Sequence, residues 1–154
     1  MSEYGCYLIA DRQVAKRLFG SSDVTAVLEV IRDLRLLATE KVSHALPLPA
    51  GSEELHALVV SGRENDYPAN HIVLGGRALH TGADGVILLK RPDTVQHIAT
   101  ALEGFCTGID KDPAFLEDVK VLDWEGEVQE WFRQLTAFFT IAAKERSAVI
   151  LTTI

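Results

Sequence analysis

Val128, Trp131, Phe132, Leu135, Phe138, Phe139 and Ala142 recur at steps of three and four residues. That spacing gathers them on one face of a helix running from about Gly126 to Arg146. A stripe this bulky needs an apolar wall to lie against, and at helical spacing its aromatics read as core rather than as a ligand box. Both ends of the chain offer such a wall. "YGCYLIA" (Tyr4 to Ala10) and "SAVILTTI" (Ser147 to Ile154) are short runs rich in aromatic or β-branched residues and read as strands.

Between them, "DRQVAKRLFG" predicts a short helix with Val14, Leu18 and Phe19 on one face and Gly20 at its stop. "SSDVTAVLEVIRDLRLLA" predicts a stronger one, capped by Ser22 or Asp23, with Val24, Val27, Leu28, Ile31 and Leu34 as its stripe. "SHALPLPAGS" reads as a loop and "EELHALVVSG" as a short helix from Ser52 to near Gly62. "HIVLGG" reads as a strand or extended segment, and "GVILLK" as a strand. Pro92 opens a further helix carrying Val95, Ile98, Ala99 and Leu102, with Gly104 just past its end; "VKVL" (Val119 to Leu122) reads as a strand. The expectation is a single α+β domain over residues 1–154, with about five helices packed on a small mixed sheet that includes both terminal strands.

The stretch "VLGGRALHTGADGVILLKRPDTV" holds Gly75, Gly76, Gly82 and Gly85. No G-x-G-x-x-G or G-K-[ST] is present, and a strand rather than a helix follows Gly85. Asp84–Gly85 therefore reads as a turn pair, not as a phosphate loop. The five histidines, His44, His56, His71, His80 and His97, form no H-x-H or H-E-x-x-H. Exposed or hydrogen-bonded histidines are the plain reading, although His71 and His80 bracket the glycines and could converge in space. Asp110 and Asp112 begin like a calcium loop, but Phe115 and Val121 stand where glycine and a bidentate carboxylate are required. No G-x-S-x-G elbow exists, and no cofactor or metal site is read. Cys6 and Cys106 are not in a C-x-x-C, so free thiols in a reducing cytoplasm are expected. No signal peptide is expected, and no apolar run approaches the roughly 20 residues needed to cross a bilayer.

Charge is the least ordinary feature. Between Glu103 and Glu130 nine acids (Glu103, Asp110, Asp112, Glu117, Asp118, Asp123, Glu125, Glu127 and Glu130) face only Lys111 and Lys120. That net of −7 equals the net charge of the whole chain, so the remainder is neutral. Such a balance argues against nucleic acid as a general partner. The segment is either a solvated face or a surface that docks a basic protein. Trp124, set between Asp123 and Glu125, would then anchor the interface; alternatively it folds back on the long helix.

In order along the chain, "GCYLIADRQVAKRLFG", "LHALVVSG", "IVLGGRAL", "RPDTVQHIATAL" and "FRQLTAFFTIAAKERSAVILTTI" resemble the YfbM-like bacterial family. That resemblance implies an α+β fold without an assigned activity, and a shared pocket at His56, Gly75 and Gly76. Two departures stand out. Lys41 leads into "VSHALPLPAGSEE" without the family's tryptophan, and "DGVILLKRP" replaces its Tyr-Gly-Pro-Ala-Arg type stretch.

Three functional expectations follow. The first is a non-enzymatic cytoplasmic binding protein whose partner surface comprises Asp110, Asp112, Glu117, Asp118, Asp123, Trp124, Glu125, Glu127 and Glu130. An immunity protein is one form of it, because a nuclease toxin needs a cationic site that an acidic surface mimics. The second is a small-molecule-binding protein or enzyme with a site around His56, His71, Gly75, Gly76 and His80. The third is a structural homodimer that uses the C-terminal strand as an edge.

Overall fold

The computed structural model describes residues 3–20, 23–60, 67–109 and 128–154. Its strands are β1 (Glu3–Ala10), β2 (Ala45–Pro49), β3 (Arg77–Gly82), β4 (Gly85–Lys90) and β5 (Ala148–Thr152). Its helices are α1 (Arg12–Gly20), α2 (Val24–Glu40), α3 (Ser52–Val59), α4 (Pro92–Ile109) and α5 (Val128–Lys144). The strands form one sheet in the order β2-β1-β5-β4-β3. The α+β architecture with both terminal strands in the sheet is as expected, but all four pairings are antiparallel rather than mixed. Among the described residues no helix is long and apolar enough to cross a membrane.

Alternation along the strands builds two cores. Tyr7, Ile9, Val149 and Leu151 face one side and pack with α3, α4 and α5. Cys6, Leu8, Ala10, Ala148, Ile150, Ile87 and Leu89 face the other and pack with α1 and α2. The molecule is thus a three-layer sandwich, which is why "GVILLK" and "AVILT" are apolar on successive residues instead of alternating with polar ones. On α5 all seven residues of the predicted stripe are buried. Asp23 caps α2, its carboxylate accepting from Thr25 N at 3.0 Å.

Several elements differ from the sequence reading. "ALPLP" is a strand, not a loop, and pairs with β1 at the sheet edge. Only an edge strand tolerates two prolines, because the missing N–H groups cost nothing where no neighbour needs them. "RALHTG" is a strand as well, closing a hairpin with β4 through Ala83 and Asp84, so the glycine-rich stretch is turn chemistry plus one more edge strand. "HIVLGG" is neither helix nor strand beyond a 3-10 turn at Ala69–His71. α4 runs through Gly104 to Ile109. β5 lies between β1 and β4, with both of its edges bonded, so the expected dimer through a C-terminal edge strand has no edge to use. The predicted strand "VKVL", the alternative cap Ser22 and the helix stop at Gly62 lie outside the described residues.

Tyr7 ties the sheet to the irregular segment after His71. Its ring lies at the centre of the α5 aromatics, 6.0 Å from Phe138 and 6.1 Å from Phe139, and its hydroxyl donates to Val73 O at 2.5 Å. Both residues are fully buried. Tyr7→Phe leaves that carbonyl without its donor and is expected to lower unfolding stability by about 1–3 kcal/mol, measured by urea denaturation.

Candidate functional site

The segment from His71 to Gly75 carries buried apolar side chains, Ile72 and Val73, on a backbone with no regular structure beyond its first residue. Buried backbone groups must be bonded to something, and side chains from three elements do it. Tyr7 of β1 takes Val73 O. His56 of α3 accepts from Leu74 N at its Nδ1, 3.2 Å away. Lys90, the last residue of β4, donates from Nζ to His71 O and to Gly75 O, both at 2.8 Å.

Gly75 and Gly76 make the close approach possible. They adopt φ of +100° and +120°. A Cβ at Gly75 would stand 2.7 Å from Asn70 O, and one at Gly76 2.7 Å from Leu89 O. Only glycine fits both the torsion and the space.

Lys90 is wholly buried, and burial lowers its pKa to about 7. A neutral amine has two N–H groups, which match the two carbonyls it bonds. His56 and His71 also have lowered pKa values. Burial is the main cause for each, followed by the nearby Lys90 charge, and for His56 by His71 as well. His71 Nδ1 donates to Asn70 Oδ1 at 2.7 Å, leaving Nε2 as an acceptor. His56 uses Nδ1 as an acceptor, which puts its proton on Nε2 as a donor. Tyr67 extends the cluster outward. Its half-exposed ring meets His71 and His97 edge-on at 5.5 and 5.4 Å, and its hydroxyl lies 2.8 Å from His97 Nδ1 and 3.2 Å from Thr94 Oγ1.

The structure therefore brings His56, His71 and Gly75 together around Lys90, with Gly76 against β4. His80 is elsewhere. Paired with Ile87 in the hairpin register, it sits toward the β3–β4 turn, with Nε2 2.9 Å from Asp84 Oδ1. That contact holds the Asp84 carboxyl below its usual range. His44 contacts Glu145 at 3.0 Å and takes no part. Asp110, Asp112, Glu117, Asp118, Asp123, Trp124, Glu125 and Glu127 lie outside the described residues. Glu130 is exposed in the first turn of α5, with a carboxylate oxygen 3.6 Å from Arg133 Nη1. Among the described residues no group of three or more His, Cys, Asp or Glu could hold a metal ion.

Lys90, Tyr7, Tyr67 and His97 were missed as members of this cluster. For Lys90 a signal existed: in a strand buried on both faces, the side chain two positions after Leu88 must also point inward. No family model, curated protein or solved structure matches the chain.

The lowered Lys90 pKa means that above about pH 7 the unfolded chain holds this proton more firmly than the folded one, up to the ordinary lysine value near 10.4. Unfolding free energy is thus expected to rise with pH between about 7 and 9.5, and Lys90→Met to remove most of that slope. Below the ordinary imidazole value, roughly 6.5, the lowered His56 and His71 pKa values act in the same direction, and stability falls as the pH drops. Urea midpoints across that range for both proteins check it.

Proposed function

We propose that the protein binds a small polar ligand over the His56–His71 face, one that both donates and accepts hydrogen bonds. The observation that carries this reading is the convergence of His56, His71 and Gly75 on the buried Lys90. Two neutral imidazoles, one presenting a donor and the other an acceptor, suit such a ligand better than an ion. Tyr67 and His97 would add flat surface beside it. The same positions, His56 with Gly75 and Gly76, are those at which the chain resembles the YfbM-like family, and membership of that family is part of the proposal.

A thermal-shift screen of small polar metabolites, on the wild type and on His56→Gln with His71→Gln, tests it. A compound that raises the wild-type Tm is expected to leave the double variant unmoved. Shifts that survive in the double variant, or no shift from any compound, would remove the reading.

The charge distribution supports a second reading. The net −7 is confined to residues 103–130 in an otherwise neutral chain, which fits docking to a basic protein. A toxin with a cationic, phosphate-holding site is the form of partner this charge would complement, and the role would be that of an immunity protein. Capture from host lysate at low salt should retain such a partner, and reversing Asp123, Glu125 and Glu127 to lysine should weaken retention at least roughly tenfold. Retention unchanged by the reversal would make the segment a solvated face.

A further inference from the structure

Where the start of α1, the start of α4 and the end of α5 meet, a cleft of about 580 Å³ is lined by Arg12, Asp93, Gln96, Lys144 and Arg146, with Pro92 and Ala143. It shares no residue with the His56–His71 face. Its lining sets three cations against one carboxylate. Among the described residues, none of the three has a carboxylate within 4.0 Å. Asp93 stands 3.8 Å from Arg91, outside the trio. Gln96 donates to Ala143 O at 2.5 Å, closing the helix end that forms one wall.

Arg146 borders the cleft from the residue that closes α5. Ser147 N bonds to Ala142 O and Arg146 N to Ala143 O, the two hydrogen bonds that close a helix with a left-handed residue. Glycine is the usual occupant of that position, because a side chain there crowds the following carbonyl. Arg146 occupies it with φ of +53°, and among the described residues it is the only non-glycine with positive φ. Arg146 thus sets a cation at the cleft's border from a left-handed position that costs folding free energy.

We propose that this cleft binds a small anion carrying two or more phosphoryl groups. Its volume is that of a small-molecule site. Two guanidiniums and an ammonium supply charge-assisted hydrogen bonds suited to several phosphoryl oxygens. The chain's overall negative charge disfavours a long nucleic-acid backbone in the same place.

Calorimetric titration of the full chain with tripolyphosphate at low salt tests the proposal, with citrate as a competing anion. The wild type should bind tripolyphosphate. Arg12→Ala and Lys144→Ala should each weaken it roughly tenfold, the scale of a lost charge-assisted bond. Arg133→Ala, a loss of charge outside the cleft, should leave binding unchanged. Arg146→Gly should weaken binding while raising the Tm, since it relieves the left-handed strain. Absence of binding at millimolar tripolyphosphate would overturn the proposal. So would citrate binding as tightly, equal weakening by Arg133→Ala, or an Arg146→Gly variant with a higher Tm and undiminished affinity.

Discussion

Four backbone groups between His71 and Gly75 are bonded by side chains rather than by a helix or strand ladder, and Lys90 supplies two of those bonds. The ordered path of this segment rests on that arrangement. An amine enclosed in an apolar layer is costly when charged. Burial lowers its pKa to about 7, and its two carbonyl partners hold the chain where it leaves the 3-10 turn and enters β3. The glycine pair can then pass against β4, and His56 and His71 are fixed by the same turn of chain. A hydrophobic residue in place of Lys90 would remove the ionisable group but leave the carbonyls unbonded, which is why chemistry rather than volume decides this position.

The three layers explain where reactive groups can gather. With helices covering both faces of the sheet, polar side chains collect at its ends and edges. The His56–His71 cluster lies where β4 ends and the segment into β3 passes, and the cationic cleft lies where three helix termini meet. Only Tyr7, whose hydroxyl donates to Val73 O, ties the first of them to the middle of the sheet, which is otherwise filled by Leu151 and the α5 aromatics. The two sites also differ in character: one is built from half-buried imidazoles around a buried amine, the other from exposed cations.

Much of the fold was legible in periodicity. The α5 stripe, the Asp23 cap, Pro92 at the start of α4 and both terminal strands needed only local rules. β2 was not legible, because "ALPLP" violates strand propensity and is permitted only by its place at an edge, a fact of tertiary structure. β3 was hidden by glycines that the hairpin turn and the close approach to β4 require. Of the candidate site, His56, His71 and the glycine pair could be read as residues, but their meeting could not. It depends on α3 and β4, whose ends are brought together only by the sandwich. His80 was grouped with them by nearness in sequence, and the hairpin register carries it away toward the turn.

β1 and β5 are neighbours at the heart of the sheet, pairing from Cys6 with Thr152 to Ala10 with Ala148. This contact joins residues separated by almost the whole described chain. On a ribosome, β1 emerges with an apolar face long before its central partner β5 is made. α1 and α2 can cover one side of it, and β2 one edge, but the other edge waits for synthesis to reach residue 148. Such high contact order makes the last closure slow relative to local helix formation. Until then the nascent chain carries an open apolar strand, so native closure of the sheet waits for β5.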